Sequence, residues 1–270
     1  MIELLTDCHR SPVRDRIGRA SKAATRAMVV GVALMAGADA ALAQALDIDA
    51  PEIKAGEREI RSINILNRGY RPVSAGEPRS SHEIDLGYSP VDWFKGIVHL
   101  DIENLIGDGA IADHIGLESF VALRKAGDEG GLALTWYTGV MISTDELSTS
   151  SLVFGPILKL SRGKGSVTLN SYFDHTFGRN SGPGVNLAYA LQAKYELSER
   201  VAIGVEGFGR IENLGSAPVW DEQDHRIGPG VFLSWDGEGG RGYGLDIGVL
   251  SGLTDAAPDV TLKVNFGTTF

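Results

Sequence analysis

Cysteine is almost absent from this chain of 270 residues, since the only one is Cys8. Cys8 lies in a segment that is expected to be removed, so the mature chain would have no thiol, which excludes disulfide bonds and cysteine-ligated metals. Basic residues are also in short supply: 25 lysines and arginines face 35 aspartates and glutamates, and the net charge is −10. A nucleic-acid-binding protein needs a basic surface for the phosphates, so no nucleic-acid partner is expected.

Long apolar runs are lacking after residue 45, where nothing approaches the about 20 residues that a membrane-spanning helix requires. Before that point, a basic stretch that ends at Arg26 precedes the segment AMVVGVALMAGADAALAQA. A basic region, an apolar core and small residues before a cleavage point are typical of a secretory signal peptide. We therefore predict that residues 1–45 are a signal peptide cleaved near Ala43 or Ala45, with a retained anchoring helix as the alternative. Residues 46–270 then form one exported domain.

Glycine is abundant, with 35 residues, and this share suits many tight turns and bends between strands. From residue 46 onward apolar and polar residues alternate, which is the period of a strand with two different faces. The segment VNLAYALQAKYEL, residues 185–197, is an example, because its apolar side chains occupy every second position. Clusters of turn-forming residues such as SRGKGS and GRNSGPG separate these segments.

This alternation predicts about twelve strands, with ten as the alternative count. An even number is what a single-chain bacterial membrane barrel requires. The first strand is the least clearly defined of the set. The predicted strands lie near residues 57–66, 81–89, 93–104, 115–124, 131–142, 151–161, 166–176, 185–197, 200–210, 225–235, 241–250 and 260–270.

The placement of charge on the strand faces decides between a soluble and a membrane fold. Each segment has one largely apolar face and one polar face that carries both signs of charge. A soluble barrel of this size would have to fill a wide interior with the apolar side chains, whereas a membrane barrel turns them toward lipid. We therefore predict an all-β, antiparallel transmembrane β-barrel in the outer membrane of a Gram-negative bacterium. A soluble β-barrel or sandwich is the competing fold.

The polar strand faces supply the residues that are expected to line the lumen. Acids outnumber bases among them, which favours a weak preference for cations. Arg210 is a further pairing partner for these acids. The lumen-facing candidates are Glu83, Asp85, Lys95, His99, Asp101, Glu103, Glu118, Lys194, Glu196, Glu206, Asp246 and Lys263.

Three of these candidates, His99, Asp101 and Glu103, follow one another on the same strand face. Alternate positions are about 7 Å apart, which is too far for all three to bind one ion without neighbours from adjacent strands. The pattern therefore favours a polar lumen wall over a cation-binding ring. The sequence predicts no catalytic, cofactor-binding or metal-binding residues. Three other histidines are interpreted as solvated residues near strand ends or loops: His82, His114 and His225.

The chain ends on an alternating segment, VTLKVNFGTTF. This strand must pair with the first one, because an open edge in lipid leaves backbone groups unsatisfied. A terminal aromatic residue on such a strand resembles the signal by which outer-membrane assembly machinery recognises its clients, so Phe266 and Phe270 are assigned to an assembly signal. The residues expected to face lipid are Val260, Leu262, Val264, Phe266 and Phe270, and those expected to face the lumen are Lys263 and Asn265.

Aromatic residues are expected near strand ends, where tyrosine and tryptophan favour the headgroup level of a bilayer. Two polar loops, residues 106–114 and 143–151, are expected to face outside and to offer acids to divalent cations that bridge lipopolysaccharide. Outer-membrane lipid and lipopolysaccharide are therefore expected partners. The aromatic residues concerned are Trp93, Phe94, Trp136, Tyr137, Tyr172, Phe173, Tyr195, Trp235, Tyr243 and Phe270.

Three stretches carry a family resemblance. The segment HEIDLGYSPVDWFKG contains the residues of a Gly-Tyr-x-x-x-Asp-Trp pattern, although Ser89 stands where glycine is usual and Phe94 replaces a second tryptophan. HRIGPGVFLSW and the closing hairpin GLTDAAPDVTLKVNF add further matches. Together they resemble proteobacterial outer-membrane β-barrel proteins near the transporter-like family named for phenol-degradation pathways. The resemblance implies a barrel that assists small-molecule passage and carries no agreed catalytic residues.

These observations favour a porin-like transport protein with a narrow polar lumen through which small solutes pass. A structural or adhesive barrel without transport is the alternative. A remote alternative is an outer-membrane lipid hydrolase, because FDHTFGRNSGPG places His175 before Ser181. A spacing of six residues with a turn between them does not fix both side chains on one strand face. No enzymatic activity and no cofactor are therefore expected.

Overall fold

We describe a computed structural model of the chain. It covers residues 46–70, 78–106, 109–127, 129–144, 149–179 and 181–270. The signal peptide predicted for residues 1–45 lies outside these residues. Among the described residues, no helix is long and apolar enough to cross a membrane.

Twelve antiparallel strands close into one barrel, in which each strand pairs with its neighbours in sequence. This confirms the predicted fold class and the larger of the two strand counts. Short 3₁₀ turns occur at Leu214–Ser216, Trp220–Glu222 and Glu238–Gly240. The strands are β1 Arg58–Arg68, β2 Pro78–Val91, β3 Phe94–Leu105, β4 Gly109–Arg124, β5 Gly130–Ser143, β6 Ser150–Arg162, β7 Gly165–Phe177, β8 Asn186–Glu196, β9 Val201–Ile211, β10 Asp224–Asp236, β11 Gly242–Gly252 and β12 Val260–Thr269.

The barrel closes where β12 pairs with β1, as predicted. The pairing runs from Glu59 opposite Thr269 to Arg68 opposite Val260. The last residue extends it, because the Phe270 and Arg58 backbones exchange two hydrogen bonds of 3.0 Å. Every second residue of β12 points outward, and Phe266 and Phe270 are both exposed. No strand edge is left open at this seam, so the backbone is satisfied without help from water.

The two ends of the barrel differ in the length of their connections. Residues 92–93 and 163–164 make two-residue turns at one end, whereas residues 178–185 and 212–223 make long connections at the other. At the short-turn end Lys125 donates a hydrogen bond of 2.5 Å to Asp92, and this bond lowers the pKa of the Asp92 carboxyl. Short turns at one end and long loops at the other are the usual asymmetry of outer-membrane barrels.

Strand β4 begins earlier than the sequence predicts. Residues 106–114 were expected to form a loop, but β4 starts at Gly109. The pairing with β3 shifts by one residue, since Asp101 faces His114 and Ile102 faces Ala112. Asp113 is the extra residue of this β-bulge, and both Asp113 and His114 are buried. A bulge breaks the alternation of side chains, so a period-two search stops short of it.

The inner wall is not uniformly polar. Residues 46–57, which we call the N-terminal segment, precede β1 without forming a strand. Ile53 packs in a buried apolar cluster with Phe120 and Tyr137, and Leu46 packs in a second one with Phe208. These inward aromatic and aliphatic residues are stabilised by burial against the N-terminal segment, as in a soluble core.

Two aromatic residues are therefore placed differently from the sequence prediction. Tyr137 and Tyr172 are fully buried inside the barrel and stack edge to face, with ring centroids 4.9 Å apart. They were expected at the headgroup level of the bilayer. Each has a carboxylate partner inside the lumen, and that partner satisfies its hydroxyl where water is excluded.

Two glycine–proline pairs interrupt the strand ladders. The pairing of β6 with β7 skips from Phe154 to Ile157, and that of β10 with β11 skips from Ile227 to Gly230. Proline has no N–H to donate, so a ladder bond is lost at each site. A Cβ atom added at Gly155 would overlap the carbonyl oxygen of Ser171 on the next strand. The backbones of neighbouring strands thus come unusually close there.

Candidate functional site

The lumen is the candidate functional site, and the structure places the predicted lumen residues as follows. Three of them are only partly enclosed: Lys194 and Asp246 are half-buried, and Glu196 is exposed at the short-turn rim. Lys194 lies over the ring of Phe232, 5.5 Å from its centroid. The other nine are buried inside the barrel: Glu83, Asp85, Lys95, His99, Asp101, Glu103, Glu118, Glu206 and Lys263.

The N-terminal segment crosses the lumen from wall to wall. The backbone N–H and carbonyl of Asp49 both hydrogen-bond to the Asn170 side chain. The Asp49 carboxylate accepts a hydrogen bond of 2.6 Å from the Tyr172 hydroxyl. Pro51 lies two residues after Asp49, and its carbonyl accepts a hydrogen bond of 2.8 Å from the Thr135 hydroxyl. The segment therefore contacts β5 and β7 on the side of the barrel opposite the strand it leads into. It fills space that would otherwise be open to solvent.

Arg61 is the centre of the charge network at this level. Its guanidinium lies 2.9 Å from Asp47 and 3.0 Å from Asp49 of the N-terminal segment, and 2.7 Å from Asp85 on β2. One cation is shared among three carboxylates, which leaves negative charge in excess. The arrangement anchors the segment to the wall through charge-assisted hydrogen bonds.

A second charged layer lies across the middle of the lumen. Lys263 of β12 donates to Glu206 of β9 at 2.7 Å, although two strands separate them in the wall. Gln192 also donates to Glu206, at 3.0 Å, and the Lys263 ammonium lies 5.1 Å from the Phe208 ring centroid. Both charged side chains are almost completely buried.

A third layer lies nearer the long-loop end. The Arg226 guanidinium is buried and donates to Asn67 and Thr261 at 2.8 Å each, as well as to Asp224. Arg226 is an example of a residue that the sequence analysis missed. Alternation identifies a lumen face only where polar and apolar residues alternate clearly, and in HRIGPG the glycine and proline residues hide the polar face.

The remaining wall, formed by β2, β3 and β4, is strongly acidic. Glu83 pairs across the strands with Asp101, and Asp85 with His99. The His99 ring lies over Gly116, where an added Cβ atom would overlap it. The adjacent strands thus supply the neighbours that the trio of His99, Asp101 and Glu103 lacks on its own strand.

Negative charge dominates the buried part of the described structure. Its basic members are Lys95, Arg210, Arg226 and Lys263, and its acidic members are Asp49, Glu83, Asp85, Asp101, Glu103, Asp113, Glu118, Asp174 and Glu206. Arg210, named as a partner from the sequence, pairs with Asp174 at 3.1 Å. A lumen with excess carboxylates attracts cations and repels anions.

A cavity remains beside the N-terminal segment. It measures about 350 Å³ and lies between that segment and the wall of β11, β12 and β1. Asp47, Glu59, Arg61, Asp246 and Asn265 line it, together with apolar residues. A small hydrated solute fits such a volume. The cavity is the part of the lumen that the packed segment leaves open on this side.

Two of the three histidines interpreted as solvated are in fact buried. His114 is enclosed in the lumen wall beside Asp113, and its Nε2 atom lies 2.8 Å from the Thr149 carbonyl oxygen. His225 lies on the outer face under the stacked ring of Trp220, with ring centroids 4.1 Å apart, and it contacts Tyr189. The long 212–223 connection folds back over this histidine and hides it. His82 is exposed, as interpreted.

The geometry does not assemble the histidine–serine pair of a hydrolase. His175 hydrogen-bonds to the Gly184 carbonyl at 2.8 Å. Ser181 donates its hydroxyl proton to the Gly178 carbonyl at 3.1 Å. Each side chain is engaged with the local loop backbone rather than with the other.

No protein-family model and no curated protein matches this chain. Solved structures do match it. The COG4313 outer membrane channel from Pseudomonas putida F1 superposes with a TM-score of 0.58 at 13% identity, over 83% of this chain and 100% of that one. The NanC porin superposes with a TM-score of 0.50 at 9% identity, over 79% of this chain and 98% of the porin. The chain is thus similar in fold to outer-membrane barrel channels.

Proposed function

We propose that this protein is a passive pore of the Gram-negative outer membrane, through which small solutes cross a lumen narrowed by its own N-terminal segment. The observation that carries the proposal is a closed barrel with a charged inner wall, in which a cavity of about 350 Å³ persists beside that segment. The similarity in fold to channels and porins supports the same conclusion.

The excess of buried carboxylates supports a preference for cations. The acidic wall of Glu83, Asp85 and Asp101 lies on one side of the lumen. The four buried basic residues of the described structure, Lys95, Arg210, Arg226 and Lys263, are each paired with an acid. We therefore expect the pore to select small cations over anions of the same size.

The test is single-channel recording from the purified protein in a planar bilayer with a gradient of potassium chloride. We expect small, measurable conductance steps and a reversal potential that indicates preference for potassium over chloride. No conductance at any applied voltage would contradict the pore and would favour a structural or adhesive barrel. A preference for chloride would contradict the role assigned to the carboxylates.

Three finer assignments belong to the same proposal. The matches at Gly87, Tyr88 and Gly252–Phe266 support placing the protein near the transporter-like family named for phenol-degradation pathways. Outer-membrane lipid and lipopolysaccharide would surround the exposed apolar face. The exposed aromatics Phe266 and Phe270 on the closing strand would be the signal read by the outer-membrane assembly machinery.

A further inference from the structure

We propose that the acidic lumen wall holds one divalent transition cation, bound by Glu83, Asp85 and His99 with Asp101 beside them. The first support is the register of β2 and β3, which places Glu83 opposite Asp101 and Asp85 opposite His99. Directly opposed residues of an antiparallel pair have Cβ atoms about 5 Å apart, closer than alternate positions on one strand. Four ligand-type side chains therefore form a compact square on the inner wall.

The distances suit a single ion. One ligand atom from each of Glu83, Asp85 and His99 lies within 4.8 Å of the other two. The Asp101 carboxylate is 3.6 Å from Nε2 of His99. Zinc binds nitrogen and carboxylate oxygen at about 2.0–2.2 Å, so its ligands lie roughly 3.5 Å from one another. Small side-chain rotations bring this set to that spacing.

An independent observation is that two buried carboxylate oxygens of this square have no hydrogen-bond partner. They are Oε2 of Glu83 and Oδ1 of Asp101. Glu83 is only 3% exposed, so water does not solvate its carboxylate. Among the described residues, no lysine or arginine forms an ion pair with Glu83 or Asp101. Buried carboxylates without a cation are costly, and a bound dication would remove that cost.

His99 is also held in the manner of a metal ligand. Its Nδ1 atom lies 3.2 Å from Oε1 of Glu118, and Glu118 in turn accepts a 2.8 Å hydrogen bond from the Tyr137 hydroxyl. Histidines that bind metals usually donate their second ring N–H to a carboxylate, which fixes the ring and its tautomer. Glu118 is therefore assigned as a positioning residue.

The ligand chemistry indicates which cation fits. Imidazole suits zinc and the later transition metals, whereas sites made only of oxygen suit magnesium or calcium. A set of carboxylates with one imidazole therefore matches zinc better than magnesium or calcium. Arg61 contacts Asp85 at 2.7 Å, but it is shared with Asp47 and Asp49, so it does not neutralise this wall alone.

The test is zinc binding to the refolded chain in detergent after treatment with a chelator. We expect one zinc ion per chain by elemental analysis, and a saturable site by calorimetry. The double variant Glu83→Gln/His99→Gln should lose this site. Glu118→Gln should weaken it by about 10–100-fold, the usual cost of losing a residue that orients a ligand. Asp246→Asn is the control, because it removes a carboxylate on β11, outside the acidic wall of β2, β3 and β4. It should bind zinc with the affinity of the unmodified chain.

Two outcomes would overturn the proposal. One is the absence of stoichiometric zinc binding by the unmodified chain, which would mean that the carboxyl groups share protons instead. The other is unchanged affinity in the double variant. The first outcome is measured on the unmodified chain, so it is decisive whether or not the variants fold. Zinc binding and conductance are separate measurements. A chain that conducts but binds no zinc would contradict only the metal site, and a chain that binds zinc but does not conduct would contradict only the pore.

Discussion

At the scale of single residues, most charged side chains of this lumen pair with residues of other strands rather than of their own strand. Lys263 reaches Glu206 over two intervening strands, and Lys95 reaches Glu59 at 3.1 Å over one. Such pairs are buried and link strands that are not hydrogen-bonded neighbours, so they tie the wall together from inside. Breaking one pair leaves a buried charge without compensation, which costs far more than losing a surface ion pair.

Replacing Lys263 with methionine should therefore destabilise the barrel. We expect Lys263→Met to lower the free energy of unfolding by about 3–5 kcal/mol, because Glu206 would keep its charge without a cation. Urea unfolding of the refolded protein in lipid vesicles measures this. The matched variant Lys263→Met/Glu206→Gln removes both charges and should recover most of the loss. Equal stability of Lys263→Met and the unmodified protein would mean that the pair contributes nothing.

The glycine–proline sites make a steric prediction. Gly155→Ala should reduce the yield of folded barrel, since the new methyl group would overlap the Ser171 carbonyl oxygen. Gly244→Ala is the matched control, because it also lies within a strand and a Cβ atom there meets nothing within 4 Å. Refolding yields into detergent micelles compare the two. A normal yield for Gly155→Ala would show that the two strands separate at little cost.

At the scale of elements, the alternation of polar and apolar residues predicted the strands. It did not identify the lumen face of a strand where the N-terminal segment packs against that face. All twelve strands were predicted, and so was the closing pair of β1 and β12. The inward residues Ile63 and Ile65 are apolar because they meet the N-terminal segment, so polarity alone could not assign the lumen face of β1. The same cause hid Arg61, which shares their face. No sequence pattern within residues 46–57 indicates that they pack inside a barrel.

The closing strand makes a prediction about assembly. Phe270→Ala should lower the amount of protein in the outer membrane while export from the cytoplasm stays normal, because the exposed ring is lost but the backbone bonds to Arg58 remain. Cell fractionation measures this, and refolding of the same variant in vitro should be normal. Trp235→Ala, which removes an exposed aromatic from β10, is the control. Normal outer-membrane levels of Phe270→Ala would contradict an assembly signal at this residue.

At the scale of the whole molecule, the N-terminal segment determines how wide the lumen is. Twelve strands lie between the eight of a side-chain-filled barrel and the sixteen of an open porin, so strand number leaves the width of the lumen undecided. The segment decides it by packing Ile53 and Asp49 against the wall that carries Tyr172, while Asp47 binds Arg61 of β1, and a cavity is left on one side. Its removal should leave the wall closed, because no strand pairs with it.

The most direct measurement compares single-channel conductance for two chains refolded in vitro, one beginning at Leu46 and one at Gly56. Both should insert and show the far-ultraviolet circular dichroism of a β-barrel. We expect small conductance steps for the chain that begins at Leu46 and steps several-fold larger for the chain that begins at Gly56. Equal conductance of the two, or none from either, would contradict a pore that its N-terminal segment narrows.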